Sequence, residues 1–305
     1  LSGIPLGFAI RGQASQDSCR YRKLLPMQRI ANARMYDIAP ATREAWHAIF
    51  ALAAARAGVA LTPVIHSAPA PIEELWARPE VGCVFMCGWP WAMHREPRPI
   101  PLAAPIPSPA RYEGRPEYRS DLVVREDAPY RTLADAFGGR LAWTVEHSHS
   151  GCNAPRHHLL RYAARFPFRE AVGPLLTPIA VATAVREGRA EVGPLDGFQH
   201  DLLRKHAPEK VAGLRILEST DPAPIPFLVA APDAPEAFTA PLREALLSLH
   251  EDAEARPWLA AVLVARFAPV EAARYLATGP SWAREADAAG MELPPGTRAL
   301  HELPA

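Results

Sequence analysis

Proline, at 34 residues against 18 glycines, does most to limit what this 305-residue chain can become. Each proline fixes φ and removes a backbone donor, so elements begin or end where prolines fall, and long unbroken helices are not expected. Between these bends the apolar pattern keeps changing period. Val81 to Met86 is an apolar run of strand length. Trp46, Ile49, Phe50, Ala53 and Ala54 instead recur three and four apart, the spacing of one helix face, with Thr42 as candidate cap and Gly58 as stop.

The same reading places strands at 28–33, 59–65, 81–86, 118–124, 140–145, 191–195, 214–218 and 227–230. Helical segments fall at 72–77, 154–165, 179–186, 241–251, 257–266 and 270–276, with one from Asp196 to His206 and a short one after Thr132. Residues 95–109 hold six prolines and read as a loop or extended passage, and 222–226 as a stiff crossover. Strands alternating with helices predict an α/β chain with largely parallel sheets. The two proline-rich passages bracket about a hundred residues, enough for a lobe of its own.

Composition excludes several classes. Lys plus Arg and Asp plus Glu both total 33, so the net charge is zero, against nucleic acid or an anionic membrane as main partner. Four cysteines make no disulfide framework. No apolar run reaches the roughly 18 residues of a membrane span; the nearest, Trp46 to Ile65, is broken by His47, Arg56 and Pro63. Residues 1–26 carry Arg11, Arg20, Arg22 and Lys23 without the ordered features of an export signal, and read as an extension ahead of a fold that starts near Met27.

The segment Glu146-His-Ser-His-Ser-Gly-Cys-Asn-Ala-Pro holds the most chemistry. A strand delivers Ser148, His149, Ser150 and Gly151 to a helix start, where unpaired amides and the helix dipole favour an anionic oxygen without any lysine. On pattern alone, Ser148 or Ser150 is equally well a helix cap. Asp196, at a strand end before Gly197, either faces a cleft or caps the helix that follows. Tyr36 and Trp89 are candidate cleft walls or core aromatics. His147, His149, Cys152, His157 and His158 crowd one region, yet their spacing fits no structural zinc pattern, and no metal or cofactor is expected.

Taken in order, Ile30-Ala-Asn-Ala-Arg-Met-Tyr-Asp, Met86-Cys-Gly-Trp-Pro, Tyr118-Arg-Ser-Asp-Leu-Val-Val-Arg, His149-Ser-Gly-Cys-Asn and Ala184-Val-Arg-Glu-Gly-Arg-Ala-Glu-Val-Gly-Pro-Leu-Asp follow a family pattern. The chain resembles the substrate-binding components of phosphate, phosphite and phosphonate ABC transporters, within the type 2 periplasmic-binding proteins. The resemblance implies two Rossmann-like α/β lobes joined by two crossover segments, one of residues 27–125 plus 225–305 and the other 126–224. It implies a small anionic ligand (phosphonate, phosphite or sulfonate) in the interlobe cleft, a permease partner, a periplasmic location, a monomer and no catalysis. The anion would be held by Ser148 and Ser150 with the amides of Gly151 and Cys152, while Tyr36 and Trp89 line the cleft and Asp196 selects the far end. Where the family carries a Ser-His pair, this chain reads Thr177-Pro178, and His149 is the candidate substitute donor. The absence of an export signal leaves an alternative: a cytoplasmic enzyme on the same scaffold, of the menaquinone-pathway or thiamine-pyrimidine-synthase type, acting through His149, Cys152 and Asp196.

Overall fold

The computed structural model describes residues 28–293, so the expected extension 1–26 and Met27 lie outside the described residues. The first elements are β1 (Arg29–Asn32), α1 (Pro40–Ala57), β2 (Leu61–Pro63), α2 (Ile72–Trp76), β3 (Val81–Met86), α3 (Gly88–Met93) and β4 (Ile100–Pro107). A middle group comprises β5 (Glu117–Tyr118), β6 (Ser120–Arg125), β7 (Arg140–Ala142), α4 (Ala154–His158), β8 (Glu170–Val172), α5 (Pro178–Arg186), β9 (Gly193–Asp196), α6 (Gly197–His206), β10 (Leu214–Ser219) and β11 (Ala223–Pro224). The chain finishes with β12 (Phe227–Ala230), α7 (Glu236–Ser248), α8 (Arg256–Ala261), β13 (Val264–Ala268) and α9 (Ala272–Ala288).

Six strands in the order β13-β4-β12-β3-β1-β2 form the sheet of the first lobe. The second lobe is built on β10-β6-β9, with β7 and β8 paired beside it. Between the two sheets β5 and β11 pair antiparallel, Tyr118 opposite Ala223 and Glu117 opposite Pro224. This is the two-lobed type 2 binding-protein architecture.

Several local expectations are corrected. The sheets are mixed rather than largely parallel: β1 runs parallel to β2 and β3, and β7 to β8, but β12 and β4 pair antiparallel with their neighbours, as do β6, β9 and β10. The proline-rich stretch is no loop, because β4 lies inside the main sheet between β12 and β13. Pro105 and Pro107 are two apart, so the donors they lack fall on one side of the strand. The register also slips in both ladders, where Pro101 stands opposite Val229 and Pro107 opposite Val264.

The helix expected over 257–266 stops at Ala261, and Leu263 at φ 55° turns the chain into β13. Long helices do occur: α1 has 18 residues, and α9 has 17 and runs through Gly279 and Pro280. Tertiary contact overrides local preference there. A Cβ on Gly279 would stand 3.1 Å from the Trp89 Cβ, a tight contact that glycine avoids where α9 lies against α3.

The core is continuous beneath both sheets. Tyr36 meets Phe85 and Phe198 edge-on at 5.0 and 4.9 Å, and Trp46 meets Phe85 at 5.0 Å. That aromatic wedge brings the carboxyl end of β1 against the start of α6, and the cleft lies directly in front of it.

Candidate functional site

A cleft of about 240 Å³ opens between the lobes. Strand ends and helix starts face it from both sides: the β1–α1 turn and α2 from the first lobe, and the turn before α4, the start of α5 and the start of α6 from the second. Ligands of open α/β sheets collect at such places.

Beyond β7 the chain passes Thr144 and enters one π-helical turn, His149–Asn153, that runs on into α4. The helix thus starts five residues before the expected Ala154. First-turn amides have no partner inside a helix. Here the Gly151 amide donates to Ser148 Oγ at 3.0 Å, so Ser148 caps the turn as well as lining the cleft. Ser150 is buried at the cleft floor, where its hydroxyl meets that of Tyr118. Gly151 is dictated by space: a Cβ there would fall 1.9 Å from Thr144 Oγ1. Thr144 borders the cleft, and its hydroxyl, packed against Gly151, is buried and has no hydrogen-bond partner.

Asp196 both caps α6 and faces the cleft. Its Oδ1 accepts from the Gln199 amide at 2.9 Å, and its Oδ2 accepts from the Tyr36 hydroxyl at 3.3 Å. Burial pushes the carboxyl up to about 7, against the pull of the Gln199 and Phe198 amides and the Tyr36 hydroxyl. At neutral pH this group is therefore divided between carboxylate and carboxylic acid, and the acid form donates a hydrogen bond. The Gln199 Nε2 reaches across to the Met35 carbonyl at 2.7 Å, leaving its buried Oε1 unpartnered at the cleft wall. Thr177 caps α5, its Oγ1 accepting from the Ala180 amide at 3.1 Å with Pro178 in the first turn, and both residues line the cleft.

Of the nine residues expected to form the site, Ser148, Ser150, Thr177 and Asp196 share this cleft. Gly151 and Cys152 stand behind it. Tyr36 is fully buried and supports Asp196 from the rear instead of lining the cleft. Trp89 and His149 border a separate, much smaller cavity beside Tyr275 and Gly279. His149 stacks on Trp282 at 5.2 Å, and its Nδ1 takes a hydrogen bond from Asn153 Nδ2 at 3.1 Å. Burial lowers its pKa to about 3, so the imidazole is neutral, and it borders that smaller cavity rather than the cleft.

Cys152 packs with Trp143 and Ala171, and burial pushes its thiol up to about 11. A protonated thiol and a neutral, stacked imidazole supply no activated nucleophile. Cys83, Cys87 and Cys152 are all buried free thiols. Among the described residues no three His, Cys, Asp or Glu side chains converge to hold a metal ion.

Sequence reasoning passed over Arg34, Thr144, Gln199 and Trp76. Arg34 is the one Arg or Lys among the described residues that line the cleft. Its position two residues beyond β1 is a strand-end signal like the one that singled out Asp196. Gln199 lies three residues after Asp196, in the first turn of α6. Trp76 left no signal, because it reaches the cleft only through the docking of α2.

A family model described as "ABC transporter, phosphonate, periplasmic substrate-binding protein" matches residues 38–275. No curated protein matches the chain. Among solved structures, PhnD1 of Prochlorococcus marinus in complex with methylphosphonate superposes with a TM-score of 0.71 at 17% identity, over 86% of this chain and 99% of that one. A binding protein component of a phosphonate ABC transporter from Pseudomonas aeruginosa gives 0.69 at 17% identity, over 88% and 91%. The periplasmic aliphatic sulphonate binding protein SsuA of Escherichia coli gives 0.55 at 18% identity, over 85% of each chain.

Proposed function

This chain belongs to the family of periplasmic substrate-binding proteins of phosphonate ABC transporters, and from that membership we propose that its cleft holds an oxyanion at the helix start beyond Ser148. Members of the family bind a small solute for a permease and are not enzymes.

One observation carries the reading. Thr144, whose buried hydroxyl lacks a partner, lines the cleft together with Ser148 and Ser150 at a helix start. A buried polar group left unpaired costs about 1–3 kcal/mol, which a ligand oxygen would recover. Thr177 adds a further hydroxyl, and the Asp196 acid form a further donor. Arg34 supplies positive charge from the first lobe. Phosphonate and sulfonate heads both suit this donor set.

The lobes expected at 27–125 plus 225–305 and at 126–224 need one change in our reading: β6 pairs with β9 and β10, so the first crossover moves back to β5 and residues 120–125 join the second lobe. In our reading the protein acts as a periplasmic monomer, closing on one ligand and presenting the closed form to the permease.

Thermal unfolding against a panel of phosphonates, phosphite, sulfonates and small carboxylates tests the proposal. A ligand at 100 times its dissociation constant adds about 2.7 kcal/mol to stability, a shift of several degrees. Ser150→Ala should weaken the response. A folded protein that responds to none of these anions would overturn the reading.

A further inference from the structure

Taking the cleft as an oxyanion site, we infer that its ligand carries an apolar substituent of propyl to phenyl size, gripped by side chains from both lobes. The cleft measures about 240 Å³, many times the roughly 10–15 Å³ that a single water needs. A bare oxyanion, or one bearing a single methyl group, leaves most of that space wet.

The walls say what fills the remainder. Buried polar groups line one part of the cleft, among them Thr144, Ser150, Asp196 and Gln199. Beside them and the less buried polar residues runs an apolar set: Met35 and Ile38 after β1, Ile72 and Trp76 of α2, and Leu176 and Ile179 at the start of α5. Trp76 has already satisfied its indole N–H on the Phe85 carbonyl at 2.9 Å, so it offers the cleft only carbon.

Leu176 is 42% exposed and sits at φ 65°, an uncommon conformation for leucine. Backbone hydrogen bonds hold it there, from the Leu176 amide to the Thr144 carbonyl at 3.2 Å and from the Thr177 amide to the Leu175 carbonyl at 2.7 Å. Of the large hydrophobic side chains exposed among the described residues, Leu176 alone borders the cleft.

His147 and Glu73 are paired with each other, and Asp37 holds Arg43 through Oδ2 while its buried Oδ1 stays unpartnered. With the anionic head among the buried hydroxyls, the substituent points towards α2 and Leu176.

Isothermal titration of the full protein against inorganic phosphate, methyl-, propyl- and phenylphosphonate, with benzenesulfonate as a second head group, tests this. Each further buried methylene should strengthen binding about fourfold, so propylphosphonate should exceed methylphosphonate by roughly fifteenfold, and phosphate should be weakest. Leu176→Asn, which tolerates the same left-handed backbone, should shrink the phenyl-to-methyl affinity ratio several-fold. Binding that is flat across the series, or tightest for phosphate or methylphosphonate, would overturn the apolar-tail inference and leave the anion site standing. Binding of none of these probes would overturn both.

Discussion

His147 Nδ1 lies 3.0 Å from Glu73 Oε1, joining the loop after β7 in the second lobe to α2 in the first. The Trp76 ring meets the same imidazole edge-on at 5.9 Å. His147 and Trp76 both line the cleft, so this contact bridges the two lobes beside it. The Glu73 side chain is 53% exposed, and such pairs add little to folding stability. Its consequence is kinetic: opening the cleft breaks the pair. Glu73→Gln and His147→Gln should each speed release of a bound anion by about two- to fivefold, with association nearly unchanged and unfolding shifted by less than about 1 kcal/mol. Stopped-flow tryptophan fluorescence reads this; dissociation rates equal to wild type would remove the latch.

Asp196 makes both stability and binding depend on pH. Its folded pKa, about 7, lies above the ordinary carboxyl value, so between about pH 4 and 7 the folded state holds a proton that the unfolded state has lost. The stability this confers is complete below about pH 4 and falls as pH rises through 7, by up to roughly 4 kcal/mol at about 1.4 kcal/mol per tenfold change in proton affinity. Asp196→Asn keeps a side-chain oxygen for the Gln199 amide. It should raise the melting temperature at pH 8, change it little at pH 4, and flatten the loss of anion affinity above pH 7. A wild-type stability profile that rises from pH 4 to 8 would contradict this.

Gly151→Ala drives a methyl against Thr144 Oγ1, in a turn buried on all sides. We expect about 1–3 kcal/mol of destabilisation from overpacking, and a loss of anion response larger than the loss of stability, because Ser148 and Ser150 move with the turn. Adding Thr144→Ala should restore part of the stability, as measured by urea unfolding. A Gly151→Ala protein with unchanged stability and binding would show that the turn yields freely.

Arg111 ties the crossover region to the second lobe. Its guanidinium bonds both oxygens of fully buried Asp121, pairs with Asp201 at 2.8 Å, and reaches the Gly197 carbonyl. Burial alone would raise the Asp121 carboxyl, but His200 and Arg111 hold it below the usual range. Arg111→Ala should cost about 3 kcal/mol, the low end for breaking a buried pair because the arginine is 31% exposed. Denaturant titration measures the loss; less than about 1 kcal/mol would show that His200 and Ser219 suffice for Asp121.

Strands that carry their own pattern were legible in the chain. The unbroken apolar run of β3 and the Phe227–Ala230 strand were placed to the residue, and α1 was recognised from its spacing and the Gly58 stop. Elements whose local chemistry argues the other way were not. β4 is a proline-bearing strand that exists because β12 and β13 flank it, and β13 follows a left-handed leucine that no periodicity announces. At the site, strand-end logic found Asp196 and the serines but not Arg34. Trp89 and His149 were drawn towards the cleft by their neighbours in sequence, when α9 and Trp282 in fact occupy them. The cleft's apolar half comes from α2 and Leu176, which only the tertiary arrangement brings together.

The pairing of β5 with β11 governs how the halves can move. Two unconnected linkers would allow swivelling and sliding in any direction. Two strands bonded edge to edge form a strap that flexes across its width and resists twisting, so we expect opening and shutting to reduce to rotation about nearly one axis. A permease that detects the loaded state then needs to sense a single angle.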